Sequence, residues 1–200
     1  MNLPINLFDF LLLAVLVAGV LRGRKHGLSA ELLSSVKWLA LLLVCAAVYA
    51  PAGAALAEAG SFDLLSAYLL TYLGAALAIF LIFSIIERRL GPKLSGSDIF
   101  GRAEYYLGMG SGVVRFACML LMMLALLNAR GFSPGELKSM DKFQVDNYGS
   151  DLFPSLHSLQ VEVFDKSLSG KLIKNDLGFL LIAQTETNHR DIPPARTASK

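Results

Sequence analysis

Four long apolar stretches, separated by short polar breaks, organise the first two thirds of the chain. They run over residues 5–21, 30–50, 64–86 and 107–127. A helix rises about 1.5 Å per residue and a bilayer's hydrocarbon core is about 30 Å thick, so about 20 mostly apolar residues suffice to cross it. Each stretch is therefore expected to be a transmembrane helix, in an all-α membrane protein with four spans. The third is uninterrupted by charge; the first carries Asp9, the second Glu31 and Lys37, the fourth Arg115. The first stretch lacks a basic lead-in. It is followed by Arg22-Gly23-Arg24-Lys25, with no small-residue cleavage site, so it reads as a retained span and not as a signal peptide.

The pattern changes after residue 128. Residues 1–128 hold nine Lys/Arg and seven Asp/Glu, whereas residues 129–200 hold nine of each. The chain thus divides into a membrane domain, 1–128, and a polar C-terminal tail, 129–200. Residues 129–150 read as a linker rich in Gly, Ser, Asp, Asn and Lys. Beyond it Leu152, Leu156, Leu159 and Val163 recur at helical spacing, predicting an amphipathic helix near 152–168. Pro154 suits its first turn, Glu162 and Lys166 are spaced as an i,i+4 pair, and Gly170 is a natural stop. The apolar run 177–183 is too short to span; it is a buried strand, a docking segment or an interfacial patch. The last stretch, 185–200, is polar and expected to be disordered.

Charge gives the expected orientation. Lys and Arg in short loops stay cytoplasmic. The breaks after the first and third stretches carry Arg22, Arg24 and Lys25, and Arg88, Arg89, Lys93 and Arg102; the break at 51–63 carries only Glu58 and Asp63. In a bacterial inner membrane both termini would then lie on the periplasmic side. The net charge of +2 is too small to imply nucleic acid.

Gly108 and Gly112 form a GxxxG at the start of the fourth stretch, with Gly110 and Ser111 between them; small residues at this spacing let helix backbones approach closely. Gly23 and Gly27 are also four apart, but sit in a basic break and read as turn residues. Glu31 and Arg115 lie at similar depths from the cytoplasmic side, and an ion pair joining two helices is the expected arrangement; a polar pathway is the alternative. Trp38, Tyr49, Tyr68, Tyr72, Tyr105 and Tyr106 fall near span ends, as interfacial aromatic belts do. No catalytic constellation is found. There is no HExxH, Walker loop, dinucleotide fingerprint or nucleophile elbow, and His26, His157 and His189 are scattered. Cys45 and Cys118 lie in apolar runs and read as small hydrophobes. The chain is accordingly not expected to be an enzyme, with no catalytic residues, metal ligands or small-molecule cofactor.

Two clusters carry a family resemblance. The run Arg22-Gly23-x3-Gly27-x3-Glu31-x6-Trp38, preceded by Asp9, is one. Leu94-Ser95-Gly96-Ser97-Asp98, followed by Gly108-x3-Gly112-x2-Arg115, is the other. Together, over about residues 5–128, the chain resembles the colicin V production protein (CvpA) family. It departs by about six residues inserted near 100–105, so either Asp98 or Glu104 holds the place of the family's Asp, and by Phe116 where a further Gly is usual. The resemblance implies a multi-pass inner-membrane protein tied to toxin export and envelope maintenance. Some related membrane domains are joined to periplasmic serine proteases, but this tail is too short for one and lacks a triad. The expected function is a non-catalytic membrane factor in colicin V type toxin production or export, or in envelope homeostasis. Its partners would be the lipid bilayer and further copies of itself or envelope and secretion proteins. A small oligomeric transporter or channel is the alternative.

Overall fold

The computed structural model describes residues 6–60, 62–95, 103–132 and 156–186, with Ala30 and residues 91–95 as backbone only. Helix α1 runs over Leu7–Ala59 and is broken once, at Gly27, where φ is 73° and ψ 170°. Only glycine adopts that region readily. The break separates a first limb, residues 7–26, from a second, residues 28–59. Asn6 caps the first limb: its side chain accepts from Leu7 N at 2.7 Å, while its own N–H donates to Asp9 Oδ2 at 2.8 Å. Helix α2 spans Leu64–Ser95 and α3 spans Ala103–Asn128. The second limb touches both neighbours, through Ser35 with Ser111 of α3 and Lys37 with Glu87 of α2.

Among the described residues, three helical segments are long and apolar enough to cross a membrane: Glu31–Ala59, Leu64–Leu90 and Ala103–Asn128. Four were expected. The first limb does not qualify, because Asp9 at one end and Arg22, Arg24 and Lys25 at the other leave only residues 10–21 without charge. Two expected breaks also shrink. Arg22 to His26 are helical, and the helix runs through Pro51 to Ala59. Proline removes one backbone donor, a loss that membrane helices tolerate when neighbours support the turn. Arg88 and Arg89 lie on the last turns of α2, where cations suit the helix dipole.

Residues 156–186 fold against the far end of the bundle from the Gly27 break. Helix α4, Leu156–Gln160, continues as a π-helical turn over Val161–Lys166. Helix α5 follows at Leu168–Asp176, then a 3-10 turn at Gly178–Leu180. Strand β1, Arg130–Gly131, pairs in parallel with β2, Thr185–Glu186. One core runs from the bundle into this cap: Phe8, Tyr49, Tyr72 and Leu124 share it with Phe164, Ile173 and Ile182. The apolar run 177–183 is a docking segment. Leu180, Leu181 and Ile182 are buried, Asn128 Nδ2 donates to Ile182 O at 2.9 Å, and Ala183 N donates to Tyr49 Oη at 3.2 Å.

Three expectations for the tail change. The buried face of α4 and its π-turn is Gln160, Val163 and Phe164, while Leu156 and Leu159 are exposed; the polar Gln160 is buried because its amide donates to Leu127 O and Arg130 O. Gly170 does not stop a helix; it lies inside α5, where the backbone of Val163 comes too close for any side chain. The ion pair formed here is Lys174 with Asp165, at 3.5 Å. Leu152 and Pro154 lie outside the described residues.

Candidate functional site

The residues singled out in the sequence gather mostly at the end of the bundle opposite the cap, around the Gly27 break. Its positive φ turns the backbone and leaves the first N–H groups of the second limb without partners in their own helix. Ser29 N donates instead to Glu104 Oε1 of α3, at 3.2 Å. An acidic side chain there also suits the positive end of both helix dipoles. Glu104 packs against Gly27, whose Cβ would meet its Cγ at 3.1 Å. Asp98, the other candidate for this place, lies outside the described residues.

One turn on, Glu31 is 3% exposed. Its Oε2 accepts from Arg115 Nη1 at 2.8 Å, and its Oε1 lies 3.3 Å from Arg22 Nε. His26 Nδ1 donates to Arg22 O at 2.9 Å and stands 3.8 Å from Glu31 Oε1. The carboxylate thus ties the first limb, the second limb and α3 together. An isolated charge at this depth is expensive, and a paired and hydrogen-bonded one is tolerated.

A backbone seam holds the same helices. Gly19 and Gly23 of the first limb face Gly112 and Gly108 of α3. A Cβ on Gly19 would stand 2.8 Å from Gly112 O, and one on Gly108 would stand 2.7 Å from Gly23 O. Gly23 is therefore a helical packing residue and not the turn residue expected of it; the turn belongs to Gly27. Gly19 went unnoticed in the sequence, although Gly19-x3-Gly23-x3-Gly27 mirrors Gly108-x3-Gly112. Two further polar contacts join helices here. Ser35 Oγ donates to Ser111 O at 2.9 Å, and Lys37 Nζ donates to Glu87 Oε2 at 2.8 Å.

Other sequence candidates lie elsewhere. Asp9 is at the cap end, where its Oδ1 accepts from Ser167 Oγ and Ser169 N, both at 2.9 Å. Trp38 packs against Leu42, Cys118 and Leu180. Tyr49, Tyr68 and Tyr72 form no interfacial belt. They make edge-to-face contacts with ring centroids 5.5 and 6.4 Å apart, and Tyr72 is fully buried. Tyr105 and Tyr106 are exposed at the start of α3, and Arg24 lies 5.2 Å over the Tyr105 ring. Among the described residues, no three His, Cys, Asp or Glu side chains gather as metal ligands.

This arrangement can hold helices at fixed depth and rotation; Glu31 is committed to Arg22 and Arg115, and Lys37 to Glu87. A search of curated proteins and a search of solved structures each return no match. A family model described as colicin V production protein matches residues 8–141, which takes in the Gly27 break, the glycine seam and the Glu31 cluster. The chain is a membrane protein that belongs to the colicin V production protein family.

Proposed function

We propose that this protein is a non-catalytic, multi-pass factor of the bacterial inner membrane. It would assemble with further copies or with envelope and secretion proteins, in the production or export of a colicin V type toxin or in envelope homeostasis. One observation carries the reading: the ionisable side chains within the bundle join helix to helix. Glu31 with Arg115 and Arg22, and Lys37 with Glu87, act as fasteners. Family membership supports the membrane setting and the link to toxin production.

The first limb is the fourth span in this reading. It runs alongside α3 from the Gly23–Gly108 contact to Phe8 in the core beneath the cap, and its 7–26 range is about 30 Å long at 1.5 Å per residue. Asp9 and the Arg22–Lys25 charges would sit at the two interfaces. The basic end faces the cytoplasm and the cap faces the periplasm, as the loop charges favour. A cysteine at Lys200 should react with an impermeant maleimide in spheroplasts; protection there would reverse the orientation. Background labelling is low because Cys45 and Cys118 are 0% and 4% exposed.

The competing reading is a small oligomeric channel, in which Glu31 would line a water-filled path. Proteoliposomes separate the two. The assembly reading expects proton and solute flux equal to that of empty vesicles. Flux that vanishes in Glu31→Gln would establish the channel.

A further inference from the structure

Outside the fastened seam, α3 and the second limb leave an open groove of about 390 Å³. Leu32, Val36 and Leu39 form one wall, and Tyr106, Gly110 and Val114 form the other. The volume lies within the roughly 300–1,000 Å³ typical of ligand clefts. The lining is almost wholly apolar. Its polar side chains, Ser35 and Ser111, satisfy each other, with their hydroxyl oxygens 2.7 Å apart. Gly110 differs from its neighbours Gly108 and Gly112: a Cβ added there meets nothing within 4 Å. The seam accounts for those two glycines, and Gly110 leaves the groove its width.

We propose that this groove holds one acyl chain of an anionic phospholipid whose headgroup is bound by Arg24 and Tyr106. Length is the first argument. The groove follows the second limb from Leu28 to Leu39, about 17 Å at 1.5 Å per residue, or about half of a 30 Å hydrocarbon core. That is the depth of one leaflet, whereas a partner's transmembrane helix would need a full-length track. Charge is the second. Arg22 is taken by Glu31, but Arg24 is exposed and pairs with no carboxylate among the described residues. Arg24 stacks on Tyr105, whose ring touches that of Tyr106 at the groove's basic end. Tyr106 is 70% exposed, so its hydroxyl is available to a phosphate. Basic side chains near the surface attract anionic headgroups by about a fivefold gain each.

The test is native mass spectrometry of the full chain, titrated with phosphatidylglycerol and with phosphatidylcholine of identical acyl chains. Wild type should retain one phosphatidylglycerol per chain, in preference to phosphatidylcholine. Gly110→Phe should weaken that binding at least tenfold with an unchanged thermal midpoint, because the new ring enters open space. Val114→Trp blocks the same wall from a side chain already exposed, and should do likewise if Gly110→Phe misfolds. Arg24→Ala should lower the preference about fivefold. Equal retention of the two lipids by wild type would overturn the proposal. So would undiminished lipid binding in Gly110→Phe or Val114→Trp, or conversion of a dimer to a monomer with lipid unchanged, which would assign the groove to a second copy.

Discussion

Replacing Arg115 by leucine removes the closest partner of a carboxylate that is almost wholly buried. Glu31's side chain is 4% exposed, and its contact to Arg115 is 2.8 Å. Breaking a buried pair from one side costs about 3–5 kcal/mol. Arg22 remains 3.3 Å away, though its side chain is 48% exposed and therefore screened, so the lower end, about 3 kcal/mol, applies. That is a shift of about a hundredfold in the unfolding equilibrium. Glu31→Leu should be milder, about 1–2 kcal/mol, because the long Arg115 side chain can snorkel toward the interface. The double variant places two apolar side chains in apolar surroundings, and such replacements are commonly neutral. It should therefore cost about 1–2 kcal/mol, less than Arg115→Leu alone, which sets the coupling at about 3 kcal/mol. Steric trapping in bicelles measures these differences at equilibrium. An Arg115→Leu variant indistinguishable from wild type, or a double variant that loses the sum of the two single losses, would rule out a buried pair that fastens these helices.

Four further substitutions bear on other parts of the structure. Gly23→Val drives a side chain into the Gly108 carbonyl and should destabilise by about 3 kcal/mol, whereas Gly110→Ala should be neutral or slightly stabilising; steric trapping reads both. Gly27→Ala places a Cβ on a residue at φ 73° and should cost about 1–3 kcal/mol, with a changed limb-to-limb distance by pulsed electron spin resonance. Asp9→Ala removes the acceptor of Ser167 Oγ and Ser169 N, so amide exchange across 167–176 should quicken about tenfold or more while α2 and α3 stay protected.

The apolar runs made three membrane helices legible, because length and lack of charge are written directly in composition. Their ends were less so. Pro51 looked like a boundary, but one lost backbone donor does not outweigh the packing of Gly53 on Tyr68 in the turns that follow. Arg22 to His26 looked like a loop because charge and helix are easily taken as opposites; here the helix continues until Gly27, where φ is positive. The depth of Glu31 and Arg115 could be counted in turns, and so could their meeting. Arg22 and Glu104 could not be added to the cluster, since their places depend on how Gly27 folds the first limb back onto α3. In the tail, the burial of Gln160 and of Ser167, 0% exposed, hid the true face from a reading built on leucines. Satisfied polar groups do not advertise burial in a hydropathy pattern.

In the proposed function, this bundle serves to assemble with other membrane components. Site-specific photo-crosslinking from the cap, for example at exposed Phe179, in native membranes tests it most directly. The expected result is a reproducible crosslink to an envelope or export component, or to a second copy, that is lost when Asp9→Ala loosens the cap. A cap that crosslinks to lipid alone, in cells where the protein is active, would contradict it.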